Sequence, residues 1–128
     1  MPETALGVWL KGLREEKKLS LRDLGQRSDV DHAYIHRLET GVKESPSEDV
    51  LDKLAQALSA TKRDREILHH LARQTNVDPN ILEFVRKDLS ISADELHMLS
   101  TVVNRGTRAD YATSLARIRR MMMDDDDG

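Results

Sequence analysis

The chain has 128 residues, 34% of them charged, 38% hydrophobic and only 3% aromatic, with no cysteine. That length carries one small domain, or one domain plus an appendage, and the lack of Cys excludes disulfide scaffolds, Cys-ligated zinc and thiol chemistry. A net charge of −3, from 20 Lys+Arg against 23 Asp+Glu, gives on its own no reason to expect a nucleic-acid partner.

Helical periodicity runs nearly end to end, so the expected class is all-α. The first helix is predicted over about 4–17, with Leu6, Trp9, Leu10 and Leu13 on one face and Lys11, Arg14 and Glu15 opposite. Ser20 is an N-cap with Asp23 three residues on, opening a short second helix over about 20–27. Asp29-Val30-Asp31 reads as a turn, and Asp31 caps a third helix over 32–39 that stops at Gly41. After a polar loop, Ser47 caps a fourth helix over about 48–58, and Thr61 and Asp64 open a fifth over about 62–74.

Gln74-Thr75-Asn76-Val77 is the expected boundary, dividing a domain of 1–74 from a helical region of 78–122. That second region should hold about three helices. Asp78-Pro79 would cap the first, Ser92 and Glu95 have capping-box spacing for the second, Gly106 would close it, and Thr107 and Asp110 would open the third. Residues 123–128, with Asp124 to Asp127, are expected to be an acidic disordered tail. No apolar run approaches the roughly 20 residues of a membrane span, and the Met1-Pro2-Glu3-Thr4 start is not a signal peptide. The expected location is cytoplasmic, with no membrane partner.

The segment 20–39 carries the chemistry. Two short helices crossing steeply over a three-residue turn need a residue with almost no side chain at the crossing (Gly25). They also need an apolar residue after the turn (Val30) and inward residues on the second helix (Ile35, Leu38). His32, Ala33, His36 and Arg37 are then left on an exposed face.

Through Leu19-Ser20, Asp23-Leu24, Val30, Tyr34-Ile35, Arg37-Leu38-Glu39, Gly41, Pro46-Ser47 and Leu51…Leu54-Ala55-Ala57-Leu58, the stretch resembles the XRE (Cro/CI-type) helix-turn-helix family of DNA-binding regulators. The resemblance covers about residues 5–73. It implies a five-helix, lambda-repressor-like domain whose third helix enters the major groove of double-stranded DNA. Three departures stand out: Leu21 where the family commonly has Gln, Asp29 where Gly is usual, and a loop between Gly41 and Pro46 that looks one residue longer.

Carried over by position, the groove-facing residues are Asp31, His32, Ala33, Tyr34, His36 and Arg37. Arg37 is the natural guanine reader, because its planar fork matches two acceptors on that base's edge. Asp31 has the competing role of N-cap. Phosphates would be held by the backbone amides at Ser20 and Leu21, by Arg22, and by Lys43. Glu39 is expected to anchor the fold.

Residues 1–73 contain 13 basic and 13 acidic residues, so this half is neutral, and 7 basic and 10 acidic residues lie beyond. Weak electrostatics per protomer points to a homodimer reading a palindromic operator, most simply as a repressor. The stripes Leu96/Leu99/Val103 and Leu115/Ile118/Met122 are the expected dimerisation face. The alternative is an antitoxin or inhibitor that binds a toxin or metalloprotease and also represses its own operon. An enzyme finds no support. His32 and His36 share a face at i, i+4 but lack the Glu and third ligand of a helical zinc site, and no metal or cofactor is expected.

Overall fold

The computed structural model describes residues 4–42, 46–104 and 110–126, with the backbone alone at 103–104 and 124–126. Among these residues every regular element is a helix and there is no strand. The order is α1 (Ala5–Glu16), α2 (Leu21–Ser28), α3 (His32–Glu39), α4 (Glu48–Ala57), α5 (Lys62–Arg73), α6 (Ile81–Lys87), α7 (Ala93–Asn104) and α8 (Tyr111–Asp126).

Each of the first five helices starts where a short polar side chain satisfies a free amide. The Thr4 hydroxyl accepts from the Gly7 amide, Ser47 from Val50 and Thr61 from Asp64, at 3.0, 3.2 and 3.1 Å. The α2 start is a full capping box, the Ser20 hydroxyl taking the Asp23 amide and the Asp23 carboxylate taking the Ser20 amide, both at 3.0 Å. In the second half, Ser92 and Glu95 form the expected reciprocal box and Asp110 accepts from the Thr113 amide. Residues 105–109, which include Gly106 and Thr107, lie outside the described residues.

The helix after the boundary begins later than Asp78-Pro79 suggests. Residues 79–80 form a turn closed by tight bonds from Ile81 to the Asp78 carbonyl and from Leu82 to the Pro79 carbonyl, and α6 starts at Ile81 without a side-chain cap. Asp78 does take an amide, that of Asn80, so its capping chemistry serves the turn. At the other end α8 continues through Asp126, so the tail expected to be disordered from 123 onward is helical at 123–126. Met has good helix propensity, which favours continuing α8 through 121–123.

One apolar cluster runs through all eight helices. Leu10 and Leu13, Leu24, Ile35, Leu54, and Ile67, Leu68 and Leu71 fill the first five, and Ile81, Val85, Leu96, Leu99, Leu115 and Ile118 continue it through the rest. Each such side chain, fully buried, contributes about 1.5–3 kcal/mol of transfer free energy. The seam between the two regions is packed, with α7 on α5 and α6 on α1, and Val77 is buried in the connecting stretch.

Arg63 ties the seam with polar bonds. From α5 its guanidinium donates to the Ile91 and Asp88 carbonyls, each at 2.9 Å, and to the Val85 carbonyl, occupying acceptors at the end of α6.

Leu96, Leu99, Leu115 and Ile118 are therefore core residues of the protomer, each at most 4% exposed, and do not face a second chain. Periodicity marks a buried stripe without naming its partner, and here α7 packs against both α5 and α8. Met122 is half-buried, and the Val103 side chain lies outside the described residues.

Candidate nucleic-acid interface

The α2–α3 pair is a tight crossing fixed by small residues and local hydrogen bonds. A side-chain carbon at Gly25 would stand 3.0 Å from the Val30 carbonyl oxygen and 3.2 Å from the His32 Cβ, so a larger residue would have to press α2 and the start of α3 apart. Asp29 adopts the left-handed conformation that the turn requires, at φ 61° and ψ 30°. Buried Ser28 seals the turn, its hydroxyl donating to the Leu24 carbonyl at 2.6 Å and accepting from the Val30 amide at 3.3 Å.

The recognition-helix candidate α3 is held from behind. Leu38 and Ile35 point into the core, and Glu39 is buried against Arg14 of α1. The two groups pair as a fork, with Arg14 Nε to Glu39 Oε2 at 2.7 Å and Nη2 to Oε1 at 2.8 Å, while Nη1 donates to the Leu19 carbonyl. The hydrogen bonding to Glu39 holds the Arg14 pKa above its ordinary value, against the opposing effect of burial. Glu39 thus anchors the fold as expected. Arg14, which periodicity places on the solvent face, is its largely covered partner: the carboxylate draws in a cation that the helical pattern alone assigns to water.

A second contact escapes periodicity. A Cβ at Gly7 would meet the Leu38 and Glu39 carbonyl oxygens at 2.6 and 2.7 Å, so α1 rides directly on the α3 backbone there. A glycine inside an otherwise apolar helix was the available signal.

With its back fixed, α3 turns His32, Ala33, His36 and Arg37 outward as one exposed face, with Tyr34 half-buried at its edge. The Arg37 guanidinium lies over the Tyr34 ring, 5.6 Å from its centre, which limits its sweep. Asp31 acts as N-cap, accepting from the Ala33 amide at 3.0 Å, and its carboxylate lies 3.9 Å from His32 Nδ1. An eight-residue helix is roughly 12 Å long and fits the width of a DNA major groove.

The phosphate-holding candidates are arranged less uniformly. The Ser20 amide is already bonded to the Asp23 carboxylate, which leaves the first-turn amides of Leu21 and Arg22 and the exposed Arg22 side chain for an anion. The hydrogen bonds with Ser20 lower the Asp23 pKa, so it stays charged beside that position. Leu21 packs against the core. Lys43 lies outside the described residues. Among the described residues no cluster of three or more His, Asp or Glu could hold a metal, and no helix is long and apolar enough to cross a membrane.

Known proteins match this arrangement. A family model described as a helix-turn-helix domain covers residues 5–68, that is, α1 through most of α5. An uncharacterized HTH-type transcriptional regulator of Mycobacterium tuberculosis is 38% identical over 111 residues, spanning 84% of this chain and 75% of that protein. The HTH-type transcriptional repressor RghR of Bacillus subtilis is 41% identical over 54 residues, 42% of this chain and 40% of its own length. No solved structure matches the chain.

Proposed function

The chain belongs to the XRE-like helix-turn-helix family of DNA-binding transcriptional regulators, and from that membership we propose that it is a dimeric, sequence-specific repressor. In this reading it recognises a palindromic operator through α3. The observation that carries it is the α3 face itself. Its back is pinned by Glu39 and Leu38, its start is capped by Asp31, and it offers His32, Ala33, His36 and Arg37 together.

Arg37 reads a guanine edge bidentately, Ala33 packs against a thymine methyl, and His32 and His36 donate to base or phosphate acceptors. The amides of Leu21 and Arg22, with the Arg22 and Lys43 side chains, set the register on the backbone. The name of the Bacillus subtilis relative supports repression as the sign of regulation.

Dimerisation follows from charge. Residues 1–73 are neutral overall, and the Asp23 carboxylate sits at the phosphate-facing end of α2. Counterion release scales with the phosphates neutralised, so a single protomer binds weakly. Two linked modules on half-sites about one helical turn apart recover the affinity.

Selection of bound duplexes from a random pool, run at two salt concentrations, tests the reading. A palindromic motif is expected. Arg37→Ala should relax one position in each half-site at a cost of about 1–3 kcal/mol, whereas Arg22→Ala should weaken all sequences alike and flatten the salt dependence. A pool from which no motif is enriched would overturn it.

A further inference from the structure

A long side chain reads a base well only if it loses little freedom on binding. An arginine has many rotamers, so ordering one that swings freely offsets much of what its hydrogen bonds contribute. Arg37 meets this difficulty locally. Tyr34 stands three residues before it on the same side of α3, and the guanidinium lies 5.6 Å from the centre of the Tyr34 ring. The tyrosine is half-buried and packs against the core, whereas Arg37 is exposed.

Arg14 and Arg37 are held in opposite ways. Glu39 takes Nε and Nη2 of Arg14 at 2.7 and 2.8 Å, and the Leu19 carbonyl takes Nη1, so that guanidinium is committed to the fold. An aromatic face attracts a guanidinium through its quadrupole and takes up none of its N–H donors. The Tyr34 ring can therefore restrain Arg37 without competing with the two acceptors of a guanine edge. The platform is itself stiff. A tyrosine has two side-chain torsions, and α3 beneath it is fixed by Ile35, Leu38 and Glu39.

We propose that Tyr34 is a positioning residue for base recognition, whose ring orients Arg37 toward guanine. It sets specificity through Arg37 and not by a base contact of its own. The ring carries this role, and the hydroxyl does not. The assignment rests on the base-reading function proposed above and names what makes Arg37 selective.

Affinity ratios on the full chain test it. The duplex enriched from the random pool is compared with one altered at the base pair whose preference Arg37→Ala relaxes. Tyr34→Phe keeps the ring and should keep the parent's ratio. Tyr34→Leu removes the ring and should lower the ratio about two- to fivefold, the range that a cation–ring contact at an exposed site gives. Its salt dependence should match the parent's, since no phosphate contact is lost. In an Arg37→Ala background, Tyr34→Leu should leave the ratio unchanged.

NMR of the free chain gives a second measurement. The Tyr34 ring current should shift the Arg37 Hδ protons upfield in the parent. Tyr34→Phe should keep that shift, and Tyr34→Leu should abolish it. Circular dichroism checks that the variants keep the parent's helix content.

A Tyr34→Leu ratio equal to the parent's would overturn the proposal. So would a free parent without the upfield shift, a result that needs no variant to fold. Equal losses with and without Arg37 would overturn it in favour of a direct base contact by Tyr34. A fall in Tyr34→Phe as large as in Tyr34→Leu would pass the role to the hydroxyl and overturn that of the ring. A parent that enriches no motif would overturn base reading itself and this role with it, whereas each of the other results overturns this role alone.

Discussion

Each half of the molecule pins one helix with an arginine–glutamate pair, at different depths. Arg14 and Glu39, joining α1 to α3, have side chains 13% and 3% exposed. Arg119 and Glu95, joining α8 to α7, are 37% and 13% exposed. Burial raises the Glu95 pKa, and the hydrogen bonds from Arg119 and Ser92 outweigh it, so the carboxyl lies below its usual range. Glu95 therefore keeps a second partner if Arg119 is lost, because the Ser92 amide still donates to it. Glu39 is buried, and both of its carboxylate oxygens accept from Arg14. The helix offered to DNA is thus held by an all-or-none contact, whereas α8 is held by its apolar stripe and only trimmed by its ion pair.

The largest expected effect tests that contrast. Arg14→Ala leaves a buried, unpaired carboxylate and should cost about 3–5 kcal/mol in denaturant unfolding, with DNA affinity falling alongside. Replacing both partners with apolar residues, Arg14→Met with Glu39→Leu, should cost less than the single change because no charge is stranded. A single-variant cost under about 1 kcal/mol, as for an exposed pair, would break the comparison.

Two glycines of α1 sharpen it further. Gly7 lies against the α3 backbone, so Gly7→Ala must push two helices apart, and a cost of about 1–3 kcal/mol is expected. Gly12 faces the α6 side of the seam, where the nearest atom to an added Cβ is Arg86 Nη1 at 2.8 Å, the end of a flexible side chain. There Gly12→Ala should be neutral or should gain up to about 1 kcal/mol from helix propensity. Paired thermal melts decide whether α1 is more tightly fitted toward α3 than toward α6.

Next in size is Arg119→Ala. Its pair is partly exposed and Glu95 keeps the Ser92 bonds, so the loss should be about 0.2–1 kcal/mol. Urea titration measures it, and a cost equal to that of Arg14→Ala would show the two bridges to be equivalent.

These contrasts also explain what could be read without coordinates. The caps at Ser20, Asp31, Ser47, Thr61 and Ser92, the Gly25 crossing and the left-handed Asp29 all act within about five residues, and a local signal encodes each one. The exposed α3 face follows from them directly. The Arg14–Glu39 fork spans 25 residues, and the Arg63 bonds to the Ile91 and Asp88 carbonyls span 28 and 25. A helical pattern holds no information about which distant group will meet a charge, so Arg14 reads as solvent-facing. Leu96, Leu99, Leu115 and Ile118 illustrate the same limit for apolar residues. Their spacing declares burial, and only the fold decides whether that burial is within one chain or between two.

The last prediction concerns the seam between the halves, where α5 meets α7. His70 of α5 is 9% exposed, its Nε2 is buried without a hydrogen-bond partner among the described residues, and its ring meets that of His97 edge-on at 5.3 Å. Burial pushes its pKa below the ordinary 6.5, and nearby His97 and Arg73 push the same way against the weaker opposing pull of Asp94. The folded chain therefore keeps His70 neutral where the unfolded chain would take up a proton. Stability is complete above the unfolded value and falls as pH drops through about 6.5 toward the lower folded value. His70→Leu removes the titrating group and keeps an apolar side chain at the seam. Its melting temperature should change less than the parent's between pH 7.5 and 5.5, and equal pH slopes for the two proteins would show that the seam does not sense protonation at this residue.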